Sequence, residues 1–263
     1  MFILRRTYIL ILLMVFQSCK SQKKIIKDDL ILNIKDSIVC NNKIERKYNL
    51  PYVKLGDKIS SKKINDRILI DVKANIDWFD TFNKEKGLQE NLNLFILINE
   101  EKCNENSLAP FVTSYYEIGE ASKNIISLKL FFEIYSGSLR VEEYYYNFFL
   151  DSGLEITSKD IFKSQSKELL NYLNNKIESE LNDFFEEEMT ENEKQLIIKK
   201  SLLTNLSQRF FLTNENENGK GLDILIDSSW ANLNFSSVFN VFFSFEELKP
   251  FLKEDFKMKV GVE

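Results

Sequence analysis

The chain has 263 residues and no histidine, which removes much of the usual catalytic repertoire before any motif is sought. Without imidazole there is no Ser-His-Asp or Cys-His relay, no His-ligated zinc or iron, and no histidine pH switch. Ser60 to Lys63 and Ser164 to Lys167 match the Ser-x-x-Lys pattern, but no Ser-Asp-Asn or Lys-Thr-Gly accompanies them. Both serines are read as helix caps. Carboxylate chemistry has two starting points: Asp223 with Asp227 at the ends of one strand, and the adjacent Glu142 and Glu143. A glycosidase needs two such groups facing each other across a cleft, so this is kept as the alternative function. Gly219-Lys220-Gly221 has no helix behind it and reads as a loop, not a phosphate cradle. No Cys-x-x-Cys pair suggests a metal site. The expectation is a non-enzymatic protein with no cofactor and no metal.

The aromatic residues are the richer signal. Tyr135, Tyr144, Tyr145, Tyr146, Phe148 and Phe149 crowd one hairpin, and flat rings beside polar groups can stack on sugars. Alternation puts Tyr144, Tyr146 and Phe148 on one face and Tyr145 and Phe149 on the other, so at least one face belongs to the core. Glu186, Glu187, Glu188, Glu191 and Glu193 form an acidic run that reads as a solvated helix end, with a cationic partner as the alternative.

The N-terminus predicts where these side chains work. Residues 1–22 read MFILRRTYILILLMVFQSCKSQ. A basic pair, Arg5-Arg6, precedes an apolar stretch too short for a membrane span, which needs about 20 residues, but suited to a signal peptide. Phe16-Gln17-Ser18-Cys19 resembles the bacterial lipobox, so Cys19 is expected to be the lipidated residue and residues 1–18 the leader. The stretch 19–45, rich in Lys and Asn, reads as a tether. Cys40 and Cys103 then remain, and in an oxidising envelope compartment they are expected to form a disulfide contributing about 4 kcal/mol. With 35 basic against 40 acidic residues the formal charge is −5, which argues against a nucleic-acid partner. The localisation expected is the cell envelope, anchored to the membrane by the N-terminal lipid, on the periplasmic face or at the cell surface.

The positioning elements follow from periodicity. Ile64, Ile68, Val72, Ile76 and Phe79 step by 4, 4, 4 and 3 behind Ser60-Ser61, predicting a helix over about 61–81. Leu169, Leu173, Ile177, Leu181 and Phe184 repeat that spacing over about 165–186, and a third helix is expected at about 191–206. Leu92–Ile98 is apolar but too short to assign. Strands are predicted at 111–118, 124–135 and 141–150, then across Asp151-Ser152-Gly153 to 154–157. Further strands are expected at 210–213, 222–227, 237–243 and 256–260, with a short helix over 245–252. Helices mixed with antiparallel hairpins give an α+β class.

Within this pattern the stretch Asn124–Phe162 resembles the RsiV-like, PdaC-type extracytoplasmic domain family. The matching pieces are Tyr135-Ser136-Gly137, Tyr145-Tyr146-Asn147-Phe148, Asp151-Ser152-Gly153 and Leu154–Phe162. Phe210-Phe211-Leu212-Thr213 and Phe243–Phe251 resemble the family's later strand and its closing strand-to-helix pattern. Leu50-Pro51-Tyr52 and Lys63-Ile64-Asn65 fall where the companion domain places its Pro and its Ile-Asn helix. The resemblance implies a PdaC-like part over 46–152 and an RsiV-like part over 153–263. It also implies a binding module for an envelope glycan or protein, with a lysozyme-type (muramidase) partner as the family's example. The family's Gly-Gly-Ala-His is here Gly137-Ser138-Leu139-Arg140, so the histidine is replaced. The candidate binding surface is therefore Tyr135, Ser136, Gly137, Ser138, Arg140, Tyr144, Tyr145 and Tyr146. A structural or assembly lipoprotein is the remaining alternative.

Overall fold

The computed structural model of the chain describes residues 30–40, 43–76, 86–87, 90–91, 93, 111–135, 138–185, 190–206, 210–216, 219–226 and 239–262. The class is α+β, with eight strands in two sheets and six helices among the described residues.

The first sheet runs in the order β1 (Ile31–Cys40), β2 (Lys43–Val53), β3 (Phe111–Ala121), β4 (Ile125–Tyr135), β5 (Leu139–Phe149). Its pairs are antiparallel except β2 with β3, which are parallel. The intervening helix α1 (Lys58–Ile76) lays Ile64, Ile68 and Val72 onto one face of this sheet. There it meets Tyr48 and Leu50 of β2, Leu128, Leu130 and Phe132 of β4, and Tyr146 and Phe148 of β5. The 4-residue spacing of the three α1 side chains is what presents one apolar stripe to a flat surface.

Two side chains fasten α1. Asn65 accepts the Val53 N–H at 2.9 Å and donates to the carbonyls of Val53 and Ser61 at 2.8 Å each. Ahead of the helix, the Asp57 carboxylate accepts the N–H groups of Ile59 and Ser60, both at 3.1 Å. These hydrogen bonds, with those from the Ser60 hydroxyl first among them, hold Asp57 below the usual carboxylate range.

The second sheet is a meander of β6 (Phe210–Asn216), β7 (Gly219–Ile226) and β8 (Phe239–Ser244). Leu169, Leu173, Ile177 and Leu181 of α3 (Lys167–Phe184) cover it. Shorter helices complete this second core: α2 (Ser158–Ile161), α4 (Glu191–Ser201), α5 (Phe245–Leu248) and α6 (Glu254–Val260).

Several expectations are corrected. Residues 31–40 and 43–45, read as tether, carry β1 and the start of β2, whose polar composition disguises strands held by backbone pairing. Asp57, not Ser60 or Ser61, caps α1, and Ser166, not Ser164, caps α3 by accepting the Leu169 N–H at 3.1 Å. Residues 154–157 contribute one isolated bridge, Phe148 to Glu155, instead of a strand. Residues 256–260, expected as a strand, form α6, ended by Gly261 in the left-handed region at φ 74°. Gly219 to Gly221 open β7 instead of forming a loop. Leu92–Ile98 lies outside the described residues apart from Asn93. Among the described residues no helix is long and apolar enough to cross a membrane.

A buried amide joins the two sheets. Asn147 of β5 donates from Nδ2 to the Phe210 carbonyl at 2.8 Å and accepts the Leu212 N–H on Oδ1 at 2.9 Å. It thus pairs with β6 as a neighbouring strand would. The backbones can come this close because β3 offers Gly119 there: a Cβ on Gly119 would sit 2.3 Å from the Leu212 carbonyl oxygen. Asn147→Leu is expected to destabilise the fold by roughly 2–4 kcal/mol, because two backbone groups lose their buried partners. Gly119→Ala should also be strongly destabilising, whereas Gly56→Ala, with nothing within 4 Å of the new Cβ, should be near neutral. Urea unfolding midpoints of the three variants check this.

Candidate functional site

The face of the first sheet that does not meet α1 is only partly covered. At one end Ile125 joins the second core, and Ser127 and Asn147 lie under β6. Beyond that point the face is covered by its own side chains, with Phe131 still buried at 6% exposure, and it opens only toward Tyr135 and Leu139; its cross-strand register sets out rows of side chains. One row is Glu117–Lys129–Tyr145, the next Tyr115–Phe131–Glu143, the next Thr113–Glu133–Val141, and the last Tyr135–Leu139.

These rows are internally tied. The Tyr115 ring stacks on Phe131, with centroids 4.5 Å apart and planes at 15°. The Lys129 ammonium lies 4.4 Å from the Phe131 centroid and 5.2 Å from that of Tyr145, and it pairs with Glu143 at 3.4 Å. Tyr145 donates its hydroxyl to Glu143 and sets its ring edge-on to Phe211 of β6, 6.0 Å away. Tyr115 donates to Glu133 at 3.3 Å. Tyr135 and Leu139, register partners at the open end, remain 53% and 63% exposed.

Where β6 begins, Tyr145 also borders a cleft of about 430 Å³. Asn147, Ile156, Leu206 and Phe210 line its inner part, and Glu155, Thr157, Ser158, Lys159 and Gln165 its polar part. The segment 154–157 is placed there by two bonds to β5: Phe149 N–H to the Leu154 carbonyl at 3.0 Å, and Ile156 N–H to the Asn147 carbonyl at 2.7 Å.

The expected surface residues divide between the two faces. Tyr146 is buried under α1 and donates to Asp71 at 2.9 Å; burial, reinforced by that carboxylate, raises its pKa, so it stays a neutral donor. Asp71 is held in turn by Arg67 at 2.5 Å. Tyr144 packs against the same core and accepts from Asn75 at 2.8 Å. Arg140 lies near the open end, paired with Glu142 at 3.1 Å, and Ser138 is exposed beside it. Ser136 and Gly137 lie outside the described residues, as do Cys19 and Cys103; Cys40 is the last residue of β1. Of the eight surface residues expected, Tyr145 and Tyr135 stand on the open face. Sequence reading missed Tyr115, Lys129, Phe131 and Phe211, whose only trace was their place in the alternation of neighbouring strands.

The other candidates are absorbed structurally. Ser60 sits 2.6 Å from Asp57 and 3.1 Å from the Asp151 carbonyl, and Lys63 donates to the Ser152 carbonyl at 3.2 Å. Glu193 completes a capping box with Thr190, and Glu191 accepts from Gln195 at 2.9 Å, while Glu186 to Glu188 are outside the described residues. Glu142 and Glu143 turn to opposite faces of β5 and do not converge, and Asp227 is outside the described residues. Among the described residues no three metal-ligating side chains cluster.

These features define an α+β module with one protected and one half-open sheet face. No protein-family model matches the sequence, and no curated protein matches it. Solved structures do share the fold. A DUF3298 family member from Bacteroides fragilis superposes with a TM-score of 0.54 at 12% identity, covering 89% of this chain and 96% of its own. A DUF3298 family protein from Pseudomonas aeruginosa gives 0.53 at 8% identity, covering 86% and 94%. The structural neighbours are thus members of a domain family of unknown function, and the likeness is one of fold.

Asp223 of β7 pairs in register with Phe211, the ring that touches Tyr145. Burial pushes its carboxyl up to about 6, against the pull of Lys129 and with a further push from Glu180. A raised acid pKa means the folded state holds the proton more tightly than the unfolded chain. Its contribution to stability is therefore present near pH 4 and lost as pH rises through about 6. Asp223→Asn, which keeps the uncharged form, should have a melting temperature that gains on the wild type between pH 4 and pH 7; a constant difference across that range would contradict the assignment.

Proposed function

We propose that this chain is a lipid-anchored cell-envelope binding module, without catalysis of its own, that holds an envelope glycan in the cleft beside Tyr145. The observation that supports it best is the make-up of that cleft: two aromatic residues, Tyr145 and Phe210, among its lining and five polar side chains on the rim. A sugar has an apolar ring face and a periphery of hydroxyls, and such a ligand needs one flat apolar contact with several hydrogen-bonding groups around it. Tyr145 is also pre-oriented, by Glu143 at its hydroxyl and Phe211 at its edge. The resemblance to the RsiV-like, PdaC-type domains and the lipobox-like Phe16-Gln17-Ser18-Cys19 support the envelope setting.

A protein partner, with a muramidase as the type suggested by that resemblance, is the second reading. Its specific support is the Tyr135–Leu139 pair, an exposed aromatic and aliphatic neighbour on the open end of the sheet face.

Calorimetric titration of peptidoglycan-derived muropeptides onto the chain separates the two. Tyr145→Ala and the rim variant Gln165→Ala should each weaken glycan binding, Tyr145→Ala by about ten-fold or more, while Leu139→Ser should leave it unchanged. Absence of any muropeptide binding, together with muramidase capture that Leu139→Ser abolishes, would transfer the function to the second reading.

A further inference from the structure

The strands of the first sheet give the molecule two ends, and their surfaces differ. Tyr135 and Leu139 mark one end. At the other lie the last residues of β2, the start of α1 and the turn after β5, brought together by direct contacts. A Cβ on Gly153 would fall 2.5 Å from the Ser60 carbonyl oxygen, and Lys63 reaches the Ser152 carbonyl. Lys259 of α6 pairs with Asp151 at 3.2 Å, and Asn124 bonds the Lys259 carbonyl at 3.0 Å.

Four exposed lysines, Lys54, Lys58, Lys62 and Lys86, stand around a cleft of about 400 Å³ at this end. Asp66 is the one acid among the lining residues, and it is taken up by Lys62. The acids nearby are likewise engaged: Asp57 by the start of α1, Asp151 by Lys259, and Glu90 by the Gly87 N–H at 3.3 Å. Lys54, Lys58 and Lys86 make no ion pair among the described residues. In a chain with more acidic than basic residues overall, this is a local excess of positive charge.

Large apolar side chains stay exposed at the same end. Ile59, in the first turn of α1, is 68% exposed, Leu154 is 57% and Met258 is 72%. Each is within one residue of the contacts that gather this end. Lysines interspersed with exposed aliphatic groups are the composition that settles at a bilayer interface, ammonium groups on phosphates and aliphatic groups among the upper acyl chains.

The chain's path points the same way. The Lys54 N–H bonds the Leu30 carbonyl at 2.8 Å, so the N-terminal segment arrives beside the lysine cleft. Ten residues separate Leu30 from Cys19; four are lysines (Lys20, Lys23, Lys24 and Lys27) and two, Asp28 and Asp29, are acidic. Fully extended, they span no more than roughly 40 Å.

We propose that this end is a second membrane contact: an electrostatic and interfacial docking surface for an anionic phospholipid bilayer. This rests on the lipid-anchor reading for its location. Its consequence is orientation: with the lysine end on the bilayer, the 11-residue strands β4 and β5 carry Tyr135 and Leu139 about 35 Å away from it.

The acylated chain in phosphatidylglycerol-containing vesicles is treated with an amine-acetylating reagent and compared with the same chain in neutral detergent. Lys54, Lys58 and Lys62 should lose reactivity several-fold in the vesicles, while Lys47 and Lys194 should not change. Equal reactivity throughout would overturn the proposal. A second measurement uses the chain from Lys20 onward, which keeps every residue of both cores. It should co-sediment with anionic but not with pure phosphatidylcholine vesicles, and Lys54→Glu/Lys58→Glu should weaken this about ten-fold or more. Dependence on the tether lysines alone, or full displacement by inorganic phosphate at constant ionic strength, would also overturn it. The mass of the N-terminal peptide tests acylation separately. An acylated chain that ignores anionic lipid rejects this inference and keeps the anchor; an unacylated chain that binds anionic vesicles rejects the anchor and keeps this contact.

Discussion

The arrangement of the molecule turns on the Asn147 side chain. Its amide offers a donor and an acceptor in the same plane, and β6 presents a matching carbonyl and N–H two residues apart, at Phe210 and Leu212. An edge strand with free backbone groups is a liability in any sheet, and here one side chain covers those of β6 while fixing how the second sheet crosses the first. The main chain of Asn147 does a parallel task, accepting the Ile156 N–H so that 154–157 closes the outer edge of β5. A single residue thus joins three segments, at a place where a larger residue than Gly119 on β3 would hold β6 away.

The cleft and the sheet face beside it both follow from that join. Because β6 lies across Ser127 and Asn147, the same sheet face is core at Ile125 and no longer under β6 beyond Tyr145. The cleft is the step between the covered and open halves. Its walls are β5, the closing segment and the first residue of β6, so its shape is set by the same hydrogen bonds that dock the second sheet. Tyr145 stands at the step with both its hydroxyl and its ring edge engaged, which lowers the entropy cost of holding it for a ligand.

The legible parts of the fold were those in which side-chain burial and backbone geometry share a period. α1 and α3 were visible because Ile64, Ile68 and Val72, and Leu169, Leu173, Ile177 and Leu181, recur at helical spacing and are all buried. β4 was visible because its residues on the α1 side are uniformly apolar. β1 was not: Asn33, Lys35, Asp36 and Ser37 give an edge strand the composition of a linker, and its pairing with β2 runs through backbone groups that side chains do not report. α6 was misread because Phe256, Met258 and Val260 alternate like a strand while Phe256 and Val260 are also four apart; over seven residues the two periods cannot be separated, and the deciding residue was Gly261. The candidate site was legible only as a hairpin rich in aromatics. Asn147 lay in the middle of it, but a polar residue between Tyr146 and Phe148 carries no mark that its partner is a strand more than sixty residues away.

The three consecutive tyrosines show how far structure narrows such a reading. Pleating alone divides Tyr144 and Tyr146 from Tyr145. α1 then consumes the first two: Asp71, fixed by Arg67, takes the Tyr146 hydroxyl, and Asn75 donates to that of Tyr144. Arg67 lies 5.4 Å from the Tyr146 ring and 3.4 Å from Glu155, so one guanidinium links the buried tyrosine to the rim of the cleft. A change of charge at Glu155 is therefore felt by the α1 network as well as by the cleft. The tyrosines that resemble a binding platform in sequence are for the most part the means by which α1 is held to the sheet, and they leave Tyr145 as the one whose ring faces outward with polar groups around it.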